Sequence, residues 1–326
     1  MKKIYFLVMI FLIFLAGCSA PNINLFKATP DPLREYTLEG TGAQKILLLS
    51  VDGMISDRPK RGLIAKTPSL VERIVMQLNK AQNDKQIKAV LLKVNSPGGT
   101  ITASDLLYHE ISSYKAKTGN KIIVSMMDVA ASGAYYLSLP ADMIMAHPTT
   151  VTGSVGVISL QPKVKGLMDK IGLGVDVQKT GKYKDMGSPY RETAEEERKL
   201  LQKSMDIFGQ RFLNLVKEHR SLSEESLADV ATARIFLAQE ALQIGLIDGI
   251  GYLSDAVKET KKLAGLPENA KVIVYRRAEF PEDNYYNIAG TSAENLNISL
   301  ISIELPEIVN IHAGFYYLWP AALGAY

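Results

Sequence analysis

Short apolar runs alternate with amphipathic stretches along most of this chain. Residues 45–51 (KILLLSV), 87–94 (IKAVLLKV), 121–127 (KIIVSMM) and 142–146 (DMIMA) have the length and composition of buried strands. Residues 152–158 (TGSVGVI) form a glycine-punctuated loop leading into a further strand, and residues 175–179 are expected to be another. Helices are expected between them. Thr67-Pro68 opens one running to about residue 80, with threonine as N-cap and proline at the first helical position. Over 102–117, Leu106, Leu107, Ile111 and Tyr114 share one face. Residues 163–171 and 192–219 follow, the latter with Leu200, Leu201, Met205, Phe208, Phe212 and Leu215 as its stripe and an EEER face expected to be solvated. Shorter helices are expected at 224–231, 238–244 and 253–263. Strands alternating with helices predict an α/β fold with mostly buried sheets.

The two ends break this pattern. Lys2 and Lys3 precede an apolar run over residues 4–16, too short to span a membrane as an ordinary helix and suited to a signal h-region. It ends Leu-Ala-Gly-Cys-Ser, which resembles the bacterial lipobox, whose cysteine is lipidated and becomes the mature N-terminus. Cys18 is the only cysteine, so no intrachain disulfide exists. The body is therefore expected at the extracytoplasmic face of a bacterial membrane, lipid-anchored, on the periplasmic side in a Gram-negative cell. The expected division is a signal peptide over 1–18, a tether over 19–43 containing Pro21, Pro30, Pro32, Gly40 and Gly42, a body over 44–265 and a C-terminal extension over 266–326. In the extension, residues 296–303 alternate like an edge strand. The aromatic knot Phe315-Tyr316-Tyr317-Leu318-Trp319-Pro320 is expected to pack on the body or on a neighbouring subunit.

Composition narrows the chemistry. The 326 residues carry a net charge of +3 with mixed signs and no basic stripe, which argues against a nucleic-acid partner. Four scattered histidines, one cysteine and no CxxC or HExxH pattern point to neither a metal site nor a cofactor. Four glycine- and serine-containing turns remain. In DVAASGAYY (128–136) a strand ends in small residues and turns into a helix, presenting the Ser132 hydroxyl beside free helix N-terminal N–H groups. That arrangement suits a nucleophile and equally suits a simple N-cap. Asn95-Ser96-Pro97-Gly98-Gly99 is a tight turn without the Gly-Lys-Ser/Thr ending of a phosphate loop. Gly153-Ser154-Val155-Gly156 and residues 180–189, which hold Lys182 and Lys184, complete the set. His147, between a strand and Pro148, is expected to be structural rather than a catalytic base.

Taken together and in chain order, NSPGG, MDVAASGAYY, TVTGSVGVI and GKYKDMGSPYRETAEEER resemble the signal peptide peptidase A family of serine–lysine proteases, over roughly residues 45–265. The resemblance implies a crotonase/Clp-protease-like stack of ββα turns with C-terminal helices, assembled as a homo-oligomeric ring. It implies Ser132 as nucleophile, Lys184 as general base with Lys182 its rival, Ser154 orienting the amine, and the Gly99 and Gly133 N–H groups as the oxyanion hole. Substrates would be hydrophobic peptides such as cleaved signal peptides, and in short members the lysine can serve a neighbour's serine. One departure is visible: Ala134 stands where the family usually has a second glycine. Only roughly one free lysine in 2,500 is neutral at pH 7, so a lysine base must be desolvated until its pKa nears about 7–8. The alternatives are a crotonase-like acyl-CoA enzyme on the same fold and a lipoprotein scaffold that has lost its chemistry.

Overall fold

The computed structural model describes residues 32–61, 66–277, 284–285 and 313–322. The signal segment, Cys18, most of the expected tether and the expected strand at 296–303 lie outside them. In chain order the elements are β1 (Arg34–Glu39), β2 (Lys45–Asp52), the short pair β3 (Lys60–Arg61) and β4 (Lys66–Thr67), α1 (Leu70–Gln82), β5 (Ile87–Ser96), β6 (Gly98–Thr100) and α2 (Ile101–Thr118). β7 (Lys121–Ala131), α3 (Gly133–Ser138), β8 (Met143–Ala146), β9 (Val151–Gly153), β10 (Ile158–Leu160) and α4 (Lys165–Ile171) follow. The chain continues through α5 (Glu195–His219), α6 (Glu224–Val230), β11 (Ile235–Leu237), α7 (Ala238–Gln243), β12 (Gly249–Ile250), α8 (Leu253–Leu263), β13 (Lys271–Arg276) and β14 (Gly314–Leu318).

The apolar runs form the centre of a nine-stranded sheet in the order β1-β13-β2-β5-β7-β8-β12, with β9 pairing β7 and β11 pairing β9. All pairs are parallel except β1 with β13 and β11 with β9. Parallel strands are covered on both faces, which is why β2, β5 and β7 read as continuous apolar runs and not as alternation. On one face Ile46, Leu48, Ala89, Leu91, Ile123 and Met145 pack against Leu253, Ala256 and Val257 of α8. This is the mixed α/β architecture of a crotonase/Clp-protease-like fold.

Several expectations change. The span read as tether contains β1, which pairs Arg34–Glu39 with β13, so the folded body begins before residue 44. It also runs past 265, because β13 lies in the sheet between β1 and β2. Helix α1 starts from Ser69, whose Oγ accepts from Glu72 N–H while the Glu72 carboxylate accepts from Ser69 N–H. This reciprocal cap satisfies two free donors and displaces the expected Thr67-Pro68 start. No strand forms at 175–179: these residues lie in an exposed, irregular arm.

Candidate active site

Strand β7 ends at Ala131, α3 begins at Gly133, and Ser132 makes the turn between them with φ 54° and ψ −115°. A left-handed φ on a residue with a Cβ costs about 1–3 kcal/mol and persists only where the surroundings enforce it. The enforcement is visible. Ser132 N–H donates to Gly153 O at 2.7 Å, and Ser132 O accepts from Tyr136 N–H at 2.9 Å. The Ser132 Oγ does not cap α3, so the N-cap reading of this serine fails. The hydroxyl is buried and has no hydrogen-bond partner among the described residues. Ala134, the departure from the family pattern, is fully buried inside α3 without breaking it.

The bond to Gly153 holds the turn at Ser154 beside the Ser132 turn. Ser154 is itself buried, at φ 51°, with its N–H donating to Arg234 O at 2.9 Å. Strand β9 is fixed there by Thr152 Oγ1, which donates to Ala130 O at 2.7 Å.

The NSPGG turn lies on the other side. Ser96 Oγ accepts from Gly98 N–H, Gly98 O accepts from Ile55 N–H, and Thr100 N–H donates to Ile55 O at 3.0 Å. Those bonds use the groups of Gly98 and Thr100 that face Ile55, leaving Gly99 N–H and C=O aimed the opposite way. A Cβ on Gly99 would lie 1.9 Å from Ile55 O, so only glycine permits this approach.

What faces Gly99 is the C-terminal strand. β14 lies between β10 and β6, antiparallel to both, with Tyr317 opposite Gly99. Trp319 N–H donates to Pro97 O at 2.9 Å, and the alternation of an antiparallel ladder then makes Tyr317 and Gly99 the next hydrogen-bonded pair. The Tyr317 carbonyl oxygen sits 2.1 Å from an ideal Cβ on Gly98 and 3.0 Å from one on Gly133, and the Gly98 Cβ position is 2.8 Å from Gly133 N. The two glycines expected to form an oxyanion hole thus meet around one carbonyl oxygen. Beyond it, Trp319 and Ala322 pack on Val129 and Ala131, beside the serine turn.

The Tyr317 side chain fills an aromatic pocket. Its ring stacks on Tyr136 (centroids 5.1 Å, 24°) and meets Phe212 at 4.9 Å, and its hydroxyl donates to Phe208 O at 2.8 Å. Phe315 packs on Phe208, while Tyr316 and Leu318 lie with Met54, Ile158 and Leu160. Tyr136 in turn donates to Asp105, which Arg211 also grips at 2.6 Å, and burial together with that carboxylate pushes the Tyr136 phenol well up. Sequence reasoning placed the aromatic knot on the body without assigning it to the site. Its alternation around Tyr317 was the available signal.

The two lysines stand apart from this cluster. Both lie on the exposed arm between α4 and α5. Lys182 forms an ion pair with Glu196, whose carboxylate, helped by the Tyr183 hydroxyl, holds the ammonium above its usual range. Lys184 is exposed and donates to none of the described carboxylates, and no lysine among the described residues reaches the Ser132 hydroxyl. The arm is pinned by Arg191, which bridges Asp185 (2.8 and 3.0 Å) and Glu197 (2.8 and 2.5 Å). Glu197 is 2% exposed, so the EEER segment is not wholly a solvated face: its third glutamate is a buried anchor. His147 binds Thr149 Oγ1 at 2.8 Å and sits edge-on to Tyr252, away from Ser132 Oγ, as a structural histidine does. Among the described residues no cluster of metal-ligating side chains occurs, and no helix is long and apolar enough to cross a membrane.

A buried serine on a strained strand-to-helix turn, faced by two converging backbone donors and a strand-shaped groove, defines a serine protease of the Clp-protease class. The Clp protease family model matches residues 65–155, and that of Peptidase family S49 matches residues 114–267. A candidate signal peptide peptidase SppA of Enterococcus faecium is 37% identical over 78% of this chain and 74% of its own. A candidate protease of Methanocaldococcus jannaschii is 32% identical over 84% of this chain and 87% of its own. Protease 4 of Haemophilus influenzae is 32% identical over 78% of this chain and 40% of its own. The chain belongs to peptidase family S49. That membership favours peptide hydrolysis over the acyl-CoA and scaffold alternatives.

Proposed function

We propose that this protein is a lipid-anchored endopeptidase that hydrolyses extended hydrophobic peptides, cleaved signal peptides among them, outside the cytoplasm. The observation that carries the reading is Ser132 itself, strained, buried and unpartnered at the mouth of α3, with Gly133 and Gly99 converging beside it. Ser132 attacks the peptide carbonyl, and the Gly99 and Gly133 N–H groups take the negative charge that develops, each such donor contributing about 3 kcal/mol. Lys184 accepts the serine proton and returns it to the leaving amine, with Ser154 orienting the neutral amine. The preference for Lys184 is supported by Lys182 being held by Glu196.

Lys184 acts from a neighbouring subunit. It is exposed within one chain, whereas a lysine base must be desolvated. The arm and the helix α4 before it expose Leu167, Ile171, Leu173, Val175, Val177 and Tyr190, an apolar surface suited to burial against a second copy in a homo-oligomeric ring. Attachment through Cys18 would hold the rings at the membrane where signal-peptide remnants arise.

The test is hydrolysis of a hydrophobic fluorogenic peptide by full-length protein from pH 6 to 10. Wild type is expected to gain activity with a midpoint well below the roughly 10.4 of a free lysine. Lys184→Ala should abolish activity while Lys182→Ala retains most of it. Mixing Ser132→Ala with Lys184→Ala chains should restore activity, because hybrid interfaces then contain one intact pair. An active K184A protein removes Lys184 from the mechanism, and an inert mixture places both residues in one chain.

A further inference from the structure

We propose that Arg234, held by Asp229, is a positioning residue for the peptidase site and acts through Ser154. This rests on the reading of Ser132 as nucleophile and Ser154 as the residue that orients the base, and it gives the connection between α6 and β11 a part in catalysis. Among the described residues, three that are not glycine carry a left-handed φ: Ser132 (54°), Ser154 (51°) and Ala233 (61°). Strain of this kind gathers at functional sites and persists only where neighbours over-determine it. The three are joined through backbone bonds. Ser132 N–H donates to Gly153 O at 2.7 Å, Ser154 N–H donates to Arg234 O at 2.9 Å, and Ala233 directly precedes Arg234. The two serines have roles in the chemistry. Ala233 lies far from both in sequence, on a connection that bears no reacting group.

Residues 233–236 grip the Gly153-Ser154-Val155-Gly156 turn at three points. Strand β11 pairs antiparallel with β9, and a Cβ on Gly153 would lie 2.6 Å from the Phe236 ring. The Arg234 carbonyl fixes the Ser154 N–H. The Ala233 methyl closes the far end, where a Cβ on Gly156 would lie 2.6 Å from it. One guanidinium ties this segment down. Arg234 Nε and Nη2 donate to the two Asp229 carboxylate oxygens at 2.8 and 2.7 Å, and Nη1 donates to Ile235 O at 3.1 Å. The guanidinium also lies 3.8 Å over the Phe236 ring, with Glu240 a further 3.6 Å contact. The fork closes the loop from Asp229 to Arg234 and so sets where the Arg234 carbonyl points. The two side chains are 40% and 39% exposed, so the pair adds little to global stability.

A Ser154 turn released from this clamp no longer offers its hydroxyl to the base amine at a fixed place, while the groove that binds peptide is untouched. The expected signature is a loss in kcat with KM unchanged and a raised pH midpoint, because hydrogen bonds to the neutral amine favour that form. Arg234 holds the Asp229 carboxyl below the usual carboxylate range, and Asp229 holds the guanidinium above its own. Neither partner titrates near neutral or alkaline pH, so a shift there reports the base.

The experiment measures kcat and KM for a hydrophobic fluorogenic peptide from about pH 6 to 10. It uses full-length wild type, Arg234→Gln, Asp229→Asn, Ser154→Ala and the R234Q/S154A double variant, with denaturant midpoints taken alongside. R234Q is expected to lose about tenfold or more in kcat with KM within about twofold of wild type. Its pH midpoint should rise by about half a unit or more. D229N should show the same signature in smaller measure, and it decides the matter where R234Q does not fold. In the S154A background R234Q should cost less than about twofold, since residues that act through one another do not add. Wild-type kinetics in R234Q beside an impaired S154A overturn the positioning role and leave the peptidase reading standing. An equal kcat loss in both backgrounds, or a loss that follows a fallen denaturant midpoint with the pH midpoint unmoved, also overturns it. A fully active S154A removes the residue through which Arg234 acts and overturns both roles. An inert wild type overturns the peptidase reading and this one with it.

Discussion

At the scale of single residues, Ser132 trades stability for chemistry. Its backbone is left-handed and its hydroxyl is buried without a partner among the described residues. An unsatisfied buried hydroxyl costs about 1–3 kcal/mol. Ser132→Ala should therefore abolish peptide hydrolysis while raising stability by about 1 kcal/mol, read as a higher denaturant midpoint at unchanged slope. An inactive variant that is also less stable would mean the hydroxyl has a structural bond. Gly99→Ala tests the opposite wall. Its Cβ would meet the Ile55 carbonyl at 1.9 Å, backbone against backbone, so β6 must shift and one donor is misplaced. Hydrolysis should fall about 10²-fold or more, with far-ultraviolet dichroism unchanged. The turns that hold these residues were legible as glycine- and serine-containing segments after apolar runs, while the roles assigned to the residues came from the family resemblance. The pairing of Tyr317 with Gly99 was not legible, since more than two hundred positions separate segments that only tertiary folding brings together.

At the scale of elements, the arm carrying Lys184 is tied to α5 through the Arg191 guanidinium, with Lys179 also bonded to Asp185 at 2.6 Å. Arg191 grips Asp185, the residue after Lys184, and Glu197 in the first turn of α5, and these bonds hold both carboxylates well below their usual range. Glu197 falls from the 4.5 of a free glutamate to about 2, chiefly through its bonds to Arg191. A depressed carboxylate stabilises the fold fully above its unfolded pKa and loses that contribution as pH falls through the folded one. Thermal stability should therefore decline between about pH 4.5 and 2 in the wild type, and Glu197→Gln should flatten that window. Arg191→Lys keeps the charge but loses the planar fork. It is expected to lower kcat several-fold with KM little changed, because the arm is loosened while the groove is untouched. The helices themselves were readable from periodicity. The role of Glu197 was not, because a glutamate in a run of charged residues carries no mark that distinguishes an anchor from a solvated face.

At the scale of the whole molecule, α5 shows the same surplus as the arm. Of its expected apolar stripe, Phe212 is fully buried, whereas Leu200 is 41% and nearby Ile207 60% exposed. The sequence pattern was right about which positions are apolar, but the described residues leave Leu200 and Ile207 uncovered. On the proposed ring, substituting the exposed Ile171 and Leu173 by aspartate should lower the mass seen in light scattering and remove peptidase activity together, leaving the β-sheet signal intact. The groove has a broader consequence. Strand β14 has a hydrogen-bonding neighbour on each side, β10 and β6. A strand inside a folded sheet has no free side, and one at its margin has a single free side. A substrate bound between β10 and β6 in the same way would have to offer both of its sides unpaired, a condition that a strand of a folded sheet does not meet.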